Sequence, residues 1–304
     1  MKVLITGGSG LVGSKLTQML ISKGIEVVWL SRNAGVKAGI VGYAWDYKKD
    51  FIDSNAFTGV THLVHLAGAG VFEKRWTKAY KKELCDSRIK ATELLVREVA
   101  KYPNIKTCVC ASAIGIYGNS LNTILLAEDA PVGTDFLARL SNDWELATEA
   151  FNNIHLRTVK FRIGIVLANE GGALPSILAP IRACIGSPLA SGAQIISWIH
   201  IEDLCNMFVH ALEDDTMNGV YNAVAPNPVT NKEFTVQSAR ALQKPMFMPN
   251  VPAIALKIVL GTKKSFSVIE GIAVSALKVQ HQGFVFKFDA INKALMHLLQ
   301  NEPQ

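Results

Sequence analysis

Short apolar runs alternate with segments of helical spacing through the first half of the chain. Residues 3–5 read as a buried strand. Leu11, Val12, Leu16, Met19 and Leu20 then recur along one helix face, and Lys23 and Gly24 mark its end. Residues 25–30 form a second, β-branched run. Residues 62–66 and 107–111 give two more strands, separated by a helical pattern over 77–101, and 159–166 another. Strands that alternate with helices pair in parallel. The pattern therefore predicts an α/β fold, a doubly wound parallel sheet with ligands at the carboxyl ends of its strands.

The pattern changes near residue 168. Asn169-Glu170-Gly171-Gly172 is a turn. Residues 174–185 have helical spacing, bent by Pro180. A short strand at 197–200, a helix at 202–212 and a strand at 221–224 follow. Pro226-Asn227-Pro228 breaks the chain before a helix that starts at Asn231. The tail, 251–299, is mainly helical by pattern, with a short strand at 284–288. No repeat of fixed period and no Gly/Ser-rich linker is found, so the C-terminal part reads as a smaller mixed cap woven onto the sheet.

Composition narrows the class. With 304 residues, 49% hydrophobic and 18% charged, the chain is neither disordered nor a small disulfide scaffold. A net charge of +6 suits a phosphorylated small molecule and is too weak to argue for nucleic acid. Cys85, Cys108, Cys110, Cys184 and Cys205 show no C-x-x-C spacing and read as reduced thiols. The first apolar run is shorter than a signal peptide requires, and the most apolar stretch, 251–260, is interrupted by Pro252 and Lys257. The expectation is a cytoplasmic protein with no membrane span.

Thr6-Gly7-Gly8-Ser9-Gly10-Leu11-Val12-Gly13 follows a strand and opens a helix. Gly7 suits a tight turn, Gly10 a close backbone approach to a pyrophosphate, and Gly13 close packing of helix on strand. The amides of Leu11, Val12 and Gly13 and the positive end of the helix would hold the phosphates, so the loop reads as a dinucleotide site. The second strand ends Trp29-Leu30-Ser31-Arg32-Asn33 without the acid that would bond the 2′-hydroxyl of NAD. Ser31 and Arg32 offer donors to a 2′-phosphate instead, which favours NADP. Asp46 is open to two roles, at the adenine or as a helix cap.

Further segments resemble extended short-chain dehydrogenase/reductases of the nucleotide-sugar epimerase branch. Val64-His65-Leu66-Ala67-Gly68 is similar to the family's "HLAA" strand end, which implies that Leu66, Ala67 and Gly68 line the cofactor. Residues 111–118, Ala-Ser-Ala-Ile-Gly-Ile-Tyr-Gly, resemble "SSxxVYG". Residues 161–167 resemble "LRxxNVYG", which implies that Val166 lies where the chain meets the nicotinamide. Residues 198–203 resemble "FxHVDD", and Asn222 with residues 228–234 the "N…PVTNLEF" segment. Lys74-Arg75-Trp76, residues 85–88, Asp143-Trp144-Glu145 and the tail resemble an atypical clade labelled sugar-nucleotide epimerases. The implied organisation is a dinucleotide-binding Rossmann domain over 1–168, with segments 197–224 returning to it. A substrate cap would span 169–304, its tail over 250–300 being the clade's helical extension.

The departures bear on chemistry. Ordinary members use Tyr-x-x-x-Lys with a Ser or Thr, the tyrosine moving the proton at the reacting oxygen. Here Leu140 and Trp144 stand near the expected pair, and Ala113 stands where the serine would be. Tyr102 with Lys106 has the spacing but precedes the wrong strand. Ser112 and Tyr117 are nearby hydroxyls without the right spacing, so no catalytic residue is assigned. The position of the family's cofactor-side Asn holds Arg88, which faces either a ribose or phosphate of the cofactor or an ordinary surface ion pair. Glu83, one turn earlier, is placed to orient it.

Residues 73–90 carry seven basic side chains with Trp76 and Tyr80 between them, read as a solvated face or a cover over an anionic substrate rather than a nucleic-acid surface. The histidines show no metal-ligand spacing, and His62 and His65 point to opposite faces of a strand. His200 reads as a buried hydrogen-bonding residue before a general base. No G-x-S-x-G elbow supports a hydrolase. The expectation is an NADP-binding oxidoreductase or epimerase acting on a nucleotide-sugar-like small molecule, seated between the sheet's carboxyl edge and residues 174–200. Its rival is a non-catalytic NADP sensor, and a homodimer is the candidate assembly.

Overall fold

The computed structural model of the chain describes residues 1–118, 123–260 and 269–300. They form two compact units. One is built from Met1–Ala113, Arg139–Phe161 and Cys205–Tyr221, the other from Ile114–Ala138, Arg162–Leu204 and Asn222–Gln304.

The first unit holds the sheet. Its strands are β1 (Lys2–Thr6), β2 (Glu26–Ser31), β3 (Gly35–Lys37), β4 (Ile40–Asp46), β5 (Phe51–Ile52), β6 (His62–His65), β7 (Thr107–Ala113), β8 (Arg157–Ile163) and β12 (Gly219–Ala223). They run in the order β12-β8-β7-β6-β1-β2-β4-β3, with β5 on β4. β1 pairs in parallel with both β2 and β6, and β6 with β7. The order reverses at β1: the chain leaves it outward through β2 and comes back on its other side at β6. That is the switch point at which the carboxyl ends of a doubly wound sheet open a crevice.

Val3, Leu4 and Ile5 are fully buried, as a strand covered on both faces requires. Leu4, Leu63, Leu95, Cys108 and Phe151 pack in one core against α3 (Ile89–Val99) and the C-terminal part of α4 (Phe136–Asn153). Cys108 and Cys110 share a strand face as free thiols, their sulfurs 3.3 Å apart.

Three elements differ from the expected pattern. Residues 77–101 are two helices, α2 (Lys78–Asp86) and α3, broken at Ser87-Arg88. The Ser87 hydroxyl accepts from the Ala69 amide at 3.0 Å, a tertiary bond that leaves the apolar spacing on either side intact. The run over 159–166 is two strands, β8 and β9 (Ile165–Leu167), because Gly164 turns where a Cβ would lie 2.8 Å from Val224 Cγ1. Residues 35–46 form a hairpin that the sequence pattern does not announce. All of β3 is exposed, and the turn is Ala38-Gly39, both with positive φ (50° and 79°).

In the second unit β9 pairs in parallel with β11 (Trp198–His200), and β10 (Ile195–Ile196) is antiparallel to β13 (Val229–Thr230). Its core gathers Trp198, Phe234, Ala294 and Leu295, brought by α5 (Leu174–Arg182), α7 (Asn231–Ala241) and α10 (Ile291–Gln300). The expected helix over 174–185 stops at Arg182, and Cys184 takes a left-handed backbone. The expected strand at 284–288 is absent from the described residues. Asp203, in α6 (Ile201–Glu213), takes the amides of Lys287 and Phe288 at 3.0 and 2.9 Å, which withdraws them from any ladder. The tail is helical at α8 (Ala253–Leu260), α9 (Leu277–His281) and α10, while residues 261–268 lie outside the described residues. Among the described residues no helix is long and apolar enough to cross a membrane.

Phe161 is fully buried, its ring 5.0 Å from Phe208 edge-on and 6.3 Å from Tyr221. Phe161→Ala is expected to cost about 3–5 kcal/mol in urea unfolding, as for other buried phenylalanines. Leu146→Ala, at a position 62% exposed on α4, is expected to change stability by less than about 0.5 kcal/mol. Equal effects would contradict the core assignment.

Candidate functional site

The glycine turn joins β1 to α1 (Leu11–Ser22) at the switch point. Gly7 has φ 72°, a left-handed backbone, and a Cβ there would lie 3.1 Å from Ala67 N and Leu66 C. The turn is thus pressed against the end of β6. A Cβ at Gly13 would lie 2.7 Å from Gly8 Cα, so α1 can start only if this position is bare. Gly10 differs: its Cβ would meet Gly7 O at 3.2 Å and no other atom within 4 Å. The protein's own packing hardly demands that glycine, and the open side is the one a ligand would use.

Gly10 caps α1 without a side-chain hydrogen bond, and the first helical bond is Ser14 N to Gly10 O at 2.8 Å. The amides of Leu11, Val12 and Gly13 therefore have no acceptor within the helix. No acidic residue lies in the first turn of α1. Donors and dipole together make this an anion seat. Trp29 supports it from below. Its Cε2 would be 2.6 Å from a Cβ at Gly8, and its Nε1 donates to Thr17 Oγ1, which donates to Gly13 O at 2.7 Å.

A buried polar chain fixes the strand ends. Thr6 Oγ1 accepts from the amides of Leu66 and Ala67, each at 3.2 Å, and donates to His65 Nδ1 at 2.7 Å. His65 Nε2 donates to Thr92 Oγ1 at 3.0 Å, which donates to Arg88 O at 2.6 Å. This order of donors and acceptors holds only if the imidazole is neutral, with Nδ1 accepting and Nε2 donating. Burial, helped by the Arg88 charge, lowers its pKa to about 4. No local sequence signal marks Thr6 and Thr92 for this chain, because they lie 59 and 27 residues from His65.

Arg32 is exposed, with no ion pair or hydrogen bond among the described residues. The Ser31 hydroxyl donates to Asn33 O, so its proton is already committed. Asp46 closes a turn by accepting from Lys48 N at 2.8 Å. Gly68 lies under the Arg88 guanidinium, whose Cζ would be 3.0 Å from a Cβ there. Val166 lies on β9 in the second unit, opposite Ile199 of β11.

Glu83 does not orient Arg88. Its carboxylate receives Tyr47 OH at 2.7 Å and Lys48 Nζ at 2.9 Å, and these two partners lower its pKa. The break at Ser87-Arg88 takes the two residues off a common helix face. Arg88 itself is buried and donates to backbone carbonyls, so it is not a surface ion pair.

At the positions of the missing acid/base pair, Leu140 and Trp144 are buried. The next residue, Glu145, is buried and accepts the Ser112 hydroxyl at 2.6 Å. The sequence showed Glu145 only as part of an Asp-Trp-Glu run, and its pairing with Ser112 at the carboxyl end of β7 needed the fold. In the second unit Tyr117 donates to Asn222 Oδ1 at 2.6 Å and accepts from Arg162 Nη1 at 2.9 Å, and burial raises its pKa. His200 is buried, accepts from Glu202 N at 3.0 Å and meets His297 Nδ1 at 3.2 Å, which are structural bonds. Tyr102 stacks on Phe57 at 4.6 Å. The described residues contain no group of three or more His, Cys, Asp or Glu that could hold a metal ion.

Residues 3–223 match the NAD dependent epimerase/dehydratase family, and residues 251–298 match a domain of unknown function, DUF1731. The human epimerase family protein SDR39U1 is 34% identical over 303 residues, 98% of this chain and all of that protein. A crystal structure of human SDR39U1 (isoform2) with NADPH is similar with a TM-score of 0.87 at 32% identity, covering 99% of this chain and 100% of that one. The structure of a nucleoside-diphosphate sugar epimerase from Corynebacterium glutamicum gives 0.80 at 30% identity, covering 98% of this chain and 58% of that one.

The His65 shift has a pH consequence. Between pH 6.5 and about 4 the unfolded chain takes up a proton that the folded imidazole refuses. Stability from this group is therefore complete above pH 6.5 and falls by up to about 1.4 kcal/mol per pH unit below it. In an NMR pH titration the His65 ring is expected to stay neutral down to pH 5. A midpoint near 6.5 would contradict the network.

Proposed function

The chain belongs to the NAD dependent epimerase/dehydratase family, and on that footing we propose that it binds NADP(H) to carry out hydride chemistry on a nucleotide-linked sugar or a similar small molecule. The observation that carries this is the uncapped start of α1 in its glycine turn, at the switch point of the sheet. The likeness to human SDR39U1, crystallised with NADPH, supports the choice of cofactor. The likeness to a nucleoside-diphosphate sugar epimerase supports the substrate class.

In this reading the amides of Leu11, Val12 and Gly13 hold the diphosphate, and Gly7 and Gly10 give it backbone to lie against. Arg32 meets the 2′-phosphate, with Ser31 turning its hydroxyl from Asn33. Leu66, Ala67 and Gly68 border the cofactor at the β6 exit. Bound NADP supplies a carrier for the hydride. The proton at the reacting oxygen needs another group, and Ser112 with Glu145 has the chemistry to move it. The serine hydroxyl already points its proton at a buried carboxylate.

The loss of the tyrosine and lysine favours a second reading, a protein that binds NADP without turnover. Incubation with stereospecifically deuterated NADPH and a panel of keto-sugar nucleotides, whose carbonyl carbon can accept the hydride as NADPH is oxidised, separates the two. Deuterium in the sugar is expected. NADPH binding with no transfer to any member would establish the second reading.

Arg32→Ala is expected to weaken NADPH by about tenfold or more, the worth of a charge-assisted contact, and NADH by less than about twofold. Equal losses in a calorimetric comparison would remove Arg32 from the 2′-phosphate site.

A further inference from the structure

Four large apolar side chains come off one short stretch of the second unit. Phe247, Ile254 and Ile258 are 70%, 71% and 78% exposed, and Met248 is exposed beside Phe247. Ile254 and Ile258 lie one turn apart on the same face of α8. Phe247 and Met248 stand between Pro245 and Pro249, whose fixed φ stiffens the loop that presents them.

The stretch is held in place by hydrogen bonds. Val251 donates its amide to Pro188 O and accepts the Ala190 amide, both at 2.9 Å. Asn250 Nδ2 donates to Ala190 O at 3.0 Å, and the Ser187 hydroxyl donates to Pro249 O. Ile185, also exposed, leads into the partner strip of this small ladder. Apolar side chains exposed together on an anchored segment mark a contact surface.

Charge says what the contact is with. The sequence has 25 Asp and Glu, yet none falls in 171–201 or in 234–260, the two segments that the ladder joins. Their only Lys and Arg are Arg182, Arg240, Lys244 and Lys257. Arg240 and Lys244 are exposed and make no ion pair among the described residues. A second copy docked face to face would bring the same cations together, because a two-fold contact uses one patch twice. A nucleic acid would use the cations and leave Ile254 and Ile258 against water. An anionic bilayer answers both halves. Aliphatic side chains enter the boundary between headgroups and acyl chains, and lysine or arginine meets the lipid phosphates.

We propose that the stretch carrying Lys244, Phe247, Met248, Ile254 and Ile258 docks on an anionic lipid surface. The contact is peripheral, since no described helix is long and apolar enough to cross the bilayer. It stands independently of the cofactor reading.

Co-sedimentation of the full chain with vesicles tests this, using phosphatidylcholine alone and an equimolar mixture of phosphatidylcholine and phosphatidylglycerol. The wild type is expected to bind the mixed vesicles about tenfold or more tighter than phosphatidylcholine, and less tightly as salt rises. The double variant Ile254→Ser with Ile258→Ser is expected to lose about tenfold or more on the mixed vesicles, and Lys244→Gln about fivefold, the worth of one cation near such a surface. All three positions are exposed, so unchanged thermal midpoints are expected and serve as the check of folding. A wild type left in the supernatant by both vesicles would overturn the proposal. So would equal binding by the isoleucine variant, which would trace adsorption to the net charge of +6. Wild-type dimers that bind neither vesicle, and that the isoleucine variant fails to form, would give the surface to a second copy instead. NADPH calorimetry on the same variants is expected to match the wild type. A loss there with vesicle binding unchanged would assign the stretch to the ligand site and overturn the lipid contact.

Discussion

Three backbone amides at the start of α1 point at no acceptor among the described residues, and much of the first unit serves to keep them so. Gly10 opens the helix with no side chain that could fold back and cap it. The turn stays tight because Gly7 takes a left-handed backbone against Leu66 and Ala67, and because Gly13 lets the helix sit on Gly8. Trp29 packs beneath Gly8, and the Thr6–His65–Thr92 chain ties the ends of β1 and β6 to the start of α3. A single helix end contributes about 0.3–1 kcal/mol toward a charge at an exposed site. Converging amides held at the switch point of a sheet turn that modest attraction into a site for a diphosphate.

What the sequence revealed follows from how local each cause was. The turn was legible because Gly7 and Gly13 answer local demands, a left-handed backbone and a helix start that sits on Gly8, in a spacing that leaves Gly10 open. The parallel sheet was legible because its central strands are covered on both faces and so read as unbroken apolar runs. Gly8 was not, since its demand comes from Trp29 on the next strand. The break at Ser87-Arg88 was hidden by an apolar spacing that continues across it; the acceptor role of Ser87 is created by Ala69, far back in the chain. The 284–288 segment has the residues of a strand, but a buried carboxylate of α6 claims its amides.

The site departs from its family pattern in a coherent way. Where a tyrosine and lysine would stand, the chain carries Leu140 and Trp144, and the indole of the latter lies over a guanidinium from the other side of the site. The positive charge is thus present on the residue that caps α3 instead of on α4. The carboxylate next to that indole, Glu145, is bonded by Ser112. Glu83, which on spacing alone was the natural partner of Arg88, is drawn to Tyr47 and Lys48 by the hairpin that the pattern did not announce. The unpaired state of Arg88 is therefore a consequence of the fold.

Calorimetric titration of the intact wild-type chain with NADPH is the most direct trial of the central claim. The account predicts one NADPH per chain, and the loss of that binding when a side chain is placed over the open amides in Gly10→Val. A folded wild type that takes up no NADPH would contradict it, and so would a Gly10→Val variant that binds as the wild type does.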